Sequence, residues 1–448
     1  MQFKINRIET YGMKNLSKPI CVDFQNQTYN NNKSKDVSVI KAIYGSNGSG
    51  KSAFIRSVDL YKSLMSKKNC LYQDFVQEEL SDLINQKTNK YFFSIIFNIS
   101  FKNDDKYINK ILKHEIVLKK NENVFYLAKD SLSILNDQTI NGQYNNIYTC
   151  NEGILTFGKK YSDKATDYLI NITSNLLKLS SLNSFFDNLE IVKKILDIVK
   201  DSKQQNIDVK SSFIIMTPYL LSEKINTYLD ESDLHVSNNG NMIEKMLDDM
   251  YAHKEYFKNK ISSDEDLIRK EDFIKYKKQI SKLCLFIKVF KQDLLDIKIE
   301  TKEDKYYYHC KKILIYKDYK VESSNESTGI KKLMRIFNSV ENVTRGNISF
   351  IDELDSNISP VYLNKLLEYI QRLNKGQLCF TTHNMFAMNY LYSFSHSIDF
   401  LGETGVLVPW KKNGNYKPYN QYPEGMILDS PFNVDYFDFI KVFESEGE

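Results

Sequence analysis

The sequence predicts an α/β fold: a sheet entered through a glycine-rich strand–loop–helix turn, an antiparallel β subdomain, and a helical insertion lobe. Three observations predict it. An apolar run, Val37 to Tyr44, meets the loop Gly45-Ser46-Asn47-Gly48-Ser49-Gly50-Lys51-Ser52 and then an amphipathic stretch, Ala53 to Lys67. From Tyr91 to Lys129 apolar segments read as strands separated by Lys/Asn/Asp turns. From about Ser162 the period of the apolar residues changes from two to roughly 3.6.

In chain order, Phe3 to Tyr11 alternates as a strand and Ile20 to Phe24 follows as a second. Asn26 to Lys35 is a polar loop. Val37 to Tyr44 is apolar enough to be a buried strand. In the stretch after the loop, Phe54, Val58, Tyr61 and Leu64 fall three or four apart, which places them on one helical face. Tyr91 to Phe101, Tyr107 to Leu118 and Val124 to Lys129 form the expected meander. Ala165 to Leu179, Leu189 to Lys200, Tyr219 to Leu229, Met242 to Ile261 and Glu271 to Phe290 read as helices, and Pro218 suits the first turn of the third. The β pattern returns with Ile297 to Thr301 and Tyr306 to Lys317. A helix opens at Glu326 and runs through Phe337, a strand ends at Asp352-Glu353, and another runs from Gln377 to Thr381. The chain thus divides into 1–160, a helical lobe over 161–296, a second β/α part over 297–412, and an aromatic tail over 413–448.

Composition narrows the classes of function. The 61 basic and 57 acidic residues leave a net charge of +4, too balanced to predict extensive nucleic-acid binding. The six cysteines are scattered, with no C-x-x-C pair, and read as reduced thiols of a cytoplasmic protein. The opening MQFKINRIETYG lacks the layout of a secretory signal. Phe213 to Leu221 and Leu283 to Phe290 are the densest apolar runs; the first is too short for a membrane span and the second carries Lys. No membrane partner is expected.

The glycine-rich loop fits G-x-x-x-x-G-K-[ST]. A strand that turns into a helix there offers a row of backbone N–H groups and the positive end of a helix dipole to an anion. Glycine is required because the backbone must pass close to phosphate in unusual conformations. Lys51 would reach the β- and γ-phosphates and Ser52 would ligate Mg²⁺, so ATP and Mg²⁺ are the expected ligands. Asp352, at the end of a short apolar strand, suits a Mg²⁺ site, and Glu353 beside it suits a base for the attacking water; a strand ending in a charged turn has the same look. Ser327 and Gly329 open a helix and can hold a γ-phosphate, though Ser327 or Thr328 also serves as a plain N-cap. His383 follows a strand, where an imidazole can hydrogen-bond phosphate or simply sit at the surface.

Order and spacing join these signals, and the set resembles an ABC-type ATPase head. In that likeness Gly45 to Ser52 is the Walker A loop, and Ser327-Thr328-Gly329 resembles the signature motif. Asp352-Glu353 resembles Walker B with its catalytic glutamate, Leu354-Asp355 the D-loop, and His383 the switch histidine. Ser327 and Asp352 are 25 residues apart and Asp352 and His383 are 31 apart, both ordinary for the family. Lys51 and Ser327 are 276 apart, far more than in transporter subunits. That gap and the opening strand pair resemble the SMC/RecF/OLD branch. The ESTGIKKL and FIDELDSNISP blocks resemble stand-alone OLD-like ATPases of anti-phage, abortive-infection systems such as PARIS, AbiL and Septu. The signature is shortened relative to the transporter form, and Ile358-Ser359-Pro360 stands where many relatives have Leu-His-Pro.

The resemblance implies ATP hydrolysis with Lys51, Glu353 and His383 as catalytic residues. It further implies ATP held by Gly45 to Ser52 of one copy and by Ser327 and Gly329 of a second, with Asp355 also among the ATP-binding residues, hence a homodimer or higher assembly. Only 65 residues follow His383, too few for the nuclease domain of OLD enzymes, so a nuclease effector would be a separate polypeptide. The alternative is a RecF/SMC-like ATPase acting on DNA in repair or chromosome maintenance.

Overall fold

The computed structural model describes residues 2–25, 37–66, 70–103, 106–135, 142–158, 214–229, 261–263, 265–394, 396–402, 404–410 and 417–422. The first strands are β1 (Gln2–Tyr11), β2 (Ile20–Asp23) and β3 (Ile40–Gly45), followed by α1 (Lys51–Ser66) and α2 (Asp74–Leu83). The meander is longer than its sequence suggests: β4 (Lys90–Asn103), β5 (Lys106–Asn121), β6 (Val124–Leu135), β7 (Tyr144–Asn151) and β8 (Ile154–Phe157). With β1 and β2 it makes a seven-stranded antiparallel sheet in the order β2-β1-β4-β5-β6-β7-β8. The last two strands escape a sequence reading because β7, YNNIYTCN, is largely polar and β8 is only four residues long.

Next come α3 (Thr217–Ser222), β9 (Ile225–Tyr228), β10 (Asp266–Arg269), α4 (Phe273–Phe290), β11 (Leu294–Glu303), β12 (Tyr307–Tyr316) and β13 (Lys320–Glu322). The remainder is α5 (Thr328–Thr344), β14 (Ile348–Ile351), α6 (Pro360–Leu373), β15 (Gln377–Thr382), α7 (Met388–Leu391), β16 (Ile398–Leu401), β17 (Leu407–Pro409) and α8 (Pro418–Gln421). Strands β10 to β13 form a small antiparallel sheet.

The central sheet has the order β17-β16-β3-β15-β14-β9. The five strands from β16 to β9 run parallel and β17 closes one edge antiparallel. Every residue of β3, β14 and β15 is buried, as expected of parallel strands covered on both faces. Alternation along β3 divides the core. Ile43 packs with the antiparallel sheet, α1 and α3, whereas Ile40, Ala42 and Tyr44 pack with α4 to α7. Gln377, at the start of β15, ties the two large sheets together. Its Oε1 accepts from the Ile5 amide at 2.6 Å and its Nε2 donates to the Ile5 carbonyl at 2.9 Å. Inside the central sheet, Lys41 on β3 and Asp399 on β16 pair at 2.8 Å without solvent contact. Burial raises the Asp399 pKa and the Lys41 charge opposes that rise.

The expected α/β fold, a P-loop sheet carrying an antiparallel β subdomain, is present. One element differs. Tyr219 to Leu229 is not a single helix: it holds the end of α3 and then β9, which is an edge strand of the central sheet beside β14. Leu221, Ile225 and Leu229 recur every four residues and imitate a helix, yet Ile225 and Thr227 alternate in burial with Asn226 and Tyr228. Four residues are too few for either period to decide. The span read as a helical lobe, 161–296, also holds β10 and the first residues of β11. The helices expected over 165–179 and 189–200, and all but Ile261 of the one expected over 242–261, lie outside the described residues, as does most of the aromatic tail. Of the tail, Tyr422 stacks on Phe400 at 4.9 Å beneath the P-loop strand. Among the described residues no helix is long and apolar enough to cross a membrane.

Candidate functional site

In an open α/β sheet the carboxyl ends of the strands are where loops from opposite connections part and leave a crevice. Here the carboxyl end of β3 delivers Gly45 and the loop to Lys51, β14 delivers Asp352 and Glu353, and β15 delivers Thr381, Thr382 and then His383. Strand β15 lies between β3 and β14, so the three ends are neighbours.

The loop is shaped by its glycines at two points. Gly50 stands at φ +110°, and a Cβ there would lie 2.5 Å from Leu16 Cδ2. Gly48 stands at φ +79° with nothing near, so conformation alone demands glycine. The β1–β2 turn folds over the loop, and the Asn15 side-chain amide donates to the Gly48 carbonyl. The chain then enters α1 at Lys51, the positive end of a sixteen-residue helix. Lys51 is 5% exposed and its ammonium donates to the carbonyls of Gly45 at 2.9 Å and Ser46 at 2.8 Å. Burial pushes its pKa down to about 8, while the charges of Asp352, Glu353 and Asp355 act in the opposite sense. These three carboxylates therefore lie within electrostatic reach of the lysine.

Asp352 is 1% exposed. Thr381 Oγ1 donates to its Oδ1 at 2.5 Å and accepts from the Glu353 amide at 2.8 Å. Glu353 adopts φ +46°, the left-handed region that a glutamate seldom occupies. The turn is closed from both sides: the Leu354 amide donates to the Thr381 carbonyl at 3.2 Å and the Ser356 amide to the Glu353 carbonyl at 3.1 Å. His383 is exposed, yet its pKa is lowered, first by partial burial and then by the Lys51 charge, with Asp355 opposing. It thus belongs to the same electrostatic cluster.

Ser327 and Gly329 are held elsewhere, at the start of α5. Ser327 caps that helix by accepting from the Ile330 amide at 3.5 Å. Its own amide donates to the Glu326 carboxylate at 2.9 Å, which also accepts from the Tyr316 hydroxyl at 2.5 Å. Ser327 and Thr328 are exposed, and Thr328 Oγ1 donates to Asn357 Oδ1 at 3.4 Å. A Cβ on Gly329 would lie 2.9 Å from the Asn357 carbonyl. The helix start is therefore tied to the segment that follows Glu353 and Asp355.

The loop fits a bound phosphate chain. The hydroxyls of Ser46 and Ser49 are buried without a protein hydrogen-bond partner, which is costly unless a ligand supplies one. Among the described residues no group of three His, Cys, Asp or Glu side chains is placed to hold a metal. A Mg²⁺ ion at Ser52 and Asp352 would complete its shell with phosphate and water oxygens, as this ion commonly does.

Thr381 and Asn15 are absent from the sequence reading. The signal for Thr381 is weak but present: two β-branched hydroxyl residues, Thr381 and Thr382, end an otherwise apolar strand beside the histidine. Asn15 has no local signal, because its partner lies across the fold.

No family model matches the chain, and no curated protein matches it. Solved structures do. The Smc head domain with an extended coiled coil, bound to the C-terminal domain of ScpA, from Pyrococcus furiosus is 13% identical, with a TM-score of 0.40 over 91% of this chain and 95% of that one. The SmcHead bound to the C-winged helix domain of ScpA is 13% identical, with a TM-score of 0.44 over 92% and 98%. The SMC head domain from Thermotoga maritima is 12% identical, with a TM-score of 0.34 over 91% and 100%. What the chain does is therefore read from its own residues.

Proposed function

We propose that the chain is an ABC-type ATPase in which ATP is held between two copies. The observation that carries this reading is the convergence of Lys51, Asp352, Glu353, Asp355 and His383 at three adjacent strand ends, with Ser327 exposed and Gly329 half-buried on a separate helix start. The loop 45–52 and Ser52 take the phosphates of one nucleotide. Ser327 and Gly329 of a second copy close over its γ-phosphate, and Asp355, tied to Lys51 by charge, lies along the same junction.

Ser52 and Asp352 are the residues that would hold Mg²⁺, which when bound supplies charge neutralisation to the β- and γ-phosphates. Glu353 accepts a proton from water as the water oxygen bonds to the γ-phosphorus and the bridging P–O bond to ADP breaks. Lys51 and His383 stabilise the charge on the transferring group. Little covalent chemistry falls to the protein, so positioning and electrostatics carry the rate. Hydrolysis removes the group that both copies contact and so releases them.

The finer setting we propose is a sensor and regulator of a separate effector, a nuclease, in bacterial anti-phage defence. The ESTGIKKL and FIDELDSNISP blocks support it. ATPase activity stimulated by DNA and suppressed by salt would favour the RecF/SMC-like reading instead.

The test is Mg²⁺-dependent release of phosphate from ATP, together with the Glu353→Gln variant. That variant should lower the rate about 10²- to 10⁴-fold and accumulate an ATP-dependent dimer in light scattering. Hydrolysis at the wild-type rate would show that Glu353 is not the base for the attacking water.

A further inference from the structure

The ladder between β14 and β15 ends with Ile351 opposite Phe380. One residue beyond, the two strands are still joined, but by a side chain. Thr381 is fully buried, and its single hydroxyl carries two bonds of opposite sense. A hydroxyl has one proton. Since the Glu353 amide can only donate, the Thr381 oxygen accepts there and its proton goes to the Asp352 carboxylate. The rotor is thereby fixed, and so are the groups on either side of it.

Both groups need fixing. Asp352 is a buried carboxylate whose oxygens must be aimed, and a donor on Oδ1 selects how they lie. Glu353 sits in the left-handed region, which costs an ordinary residue roughly 1–2 kcal/mol and persists only where surrounding bonds impose it. The Thr381 hydroxyl holds its amide, and the Thr381 carbonyl holds the next amide, that of Leu354. The direction in which the Glu353 side chain leaves the backbone is set by that pair of bonds.

We infer that Thr381 is a positioning residue for ATP hydrolysis: one hydroxyl on β15 sets both the orientation of the Asp352 carboxylate and the backbone turn that aims Glu353. This rests on the ATPase reading above. A purely packing role for Thr381 would be met by valine, which has the same shape without the hydroxyl. The positioning role is not.

The experiment uses the full chain and compares Thr381→Val with Thr381→Ser by steady-state ATP hydrolysis, by binding of a fluorescent ATP analogue, and by Mg²⁺ titration of the rate. Thr381→Val should lower kcat about 10- to 100-fold, the usual cost of losing a group that orients a ligand, with KM for ATP changed less than about threefold, and should need more Mg²⁺ for half-maximal rate. Thr381→Ser should keep kcat within about threefold of wild type, because the hydroxyl remains. If Thr381→Val does not fold, Thr381→Cys, with a weaker donor of similar size, should fall between the two. Wild-type kcat in Thr381→Val or Thr381→Cys overturns the inference and leaves the ATPase reading standing. A wild-type protein that binds the analogue but hydrolyses no ATP overturns both.

Discussion

The phenol of Tyr61 meets His114 Nδ1 at 3.0 Å, and neither residue is exposed to solvent. Tyr61 lies on α1, the helix that begins at Lys51; His114 lies on β5, in the antiparallel sheet. On its other side His114 Nε2 stands 2.9 Å from Asp130 Oδ1, which also accepts from the Tyr148 hydroxyl at 2.9 Å. The helix that begins at Lys51 is thus joined to the β subdomain by a dry polar chain. Such chains are stabilising when complete and costly when broken.

Tyr61→Phe removes one oxygen and retains the ring stacked on Phe93 at 4.6 Å. It leaves His114 Nδ1 buried without that partner, which should cost about 1–3 kcal/mol. Urea unfolding followed by circular dichroism checks this. A midpoint equal to wild type would show that the network contributes nothing.

Under the proposed function, Lys51 should make nucleotide binding pH-dependent. Its pKa in the ligand-free protein is pushed down to about 8, so above pH 8 the free protein holds it neutral. A phosphate anion favours the charged form, so binding above that pH takes up a proton. The apparent affinity for ATP should weaken as pH rises from 8 to 9.5, approaching tenfold per pH unit. Calorimetric titration in two buffers of different ionisation enthalpy should show that uptake. The fold obeys the same linkage. With the folded pKa below the ordinary 10.5, the unfolded chain binds more protons between about 8 and 10.5, and the ligand-free protein gains stability from Lys51 as pH rises through that window. A pH-independent affinity would contradict the burial argument.

Glu79, on α2, is buried, and its Oε2 has no hydrogen-bond partner. Burial raises its pKa to about 7; Arg56 opposes that, and Asp59 and Asp82 add to it. The folded pKa lies above the ordinary 4.5, so the folded state binds more protons between 4.5 and 7 and stability falls as pH rises through that range. Glu79→Gln should therefore stabilise the protein at pH 8 by about 1–3 kcal/mol and change little near pH 4. Thermal unfolding at both pH values measures it. Equal effects at both would assign the gain to packing instead of charge.

The parts of the site legible in the sequence are those whose chemistry is local in the chain. Gly45 to Ser52 carries its own strand, turn and helix start, and each is found where its residues imply. Asp352, Glu353 and His383 stand out because each ends a short apolar strand. The tie between Thr381 and Asp352 joins different strands and leaves no periodic trace. The same holds for Asn15 over Gly48, and for Gln377 reaching Ile5. Strand β9 is obscured for another reason: four residues beside a one-and-a-half-turn helix carry too little pattern to separate periods of two and four.

The order of the central strands bears on how the protein comes into being. During synthesis β3 emerges early, yet Ile40 pairs with Leu378 and Ala42 with Ile398, which leave the ribosome hundreds of residues later. Until then both edges of an apolar strand stand bare, and closing so large a loop is slow. The glycine-rich loop cannot acquire its floor before the residues up to Leu401 have been made. An unfinished chain is correspondingly exposed to mispairing.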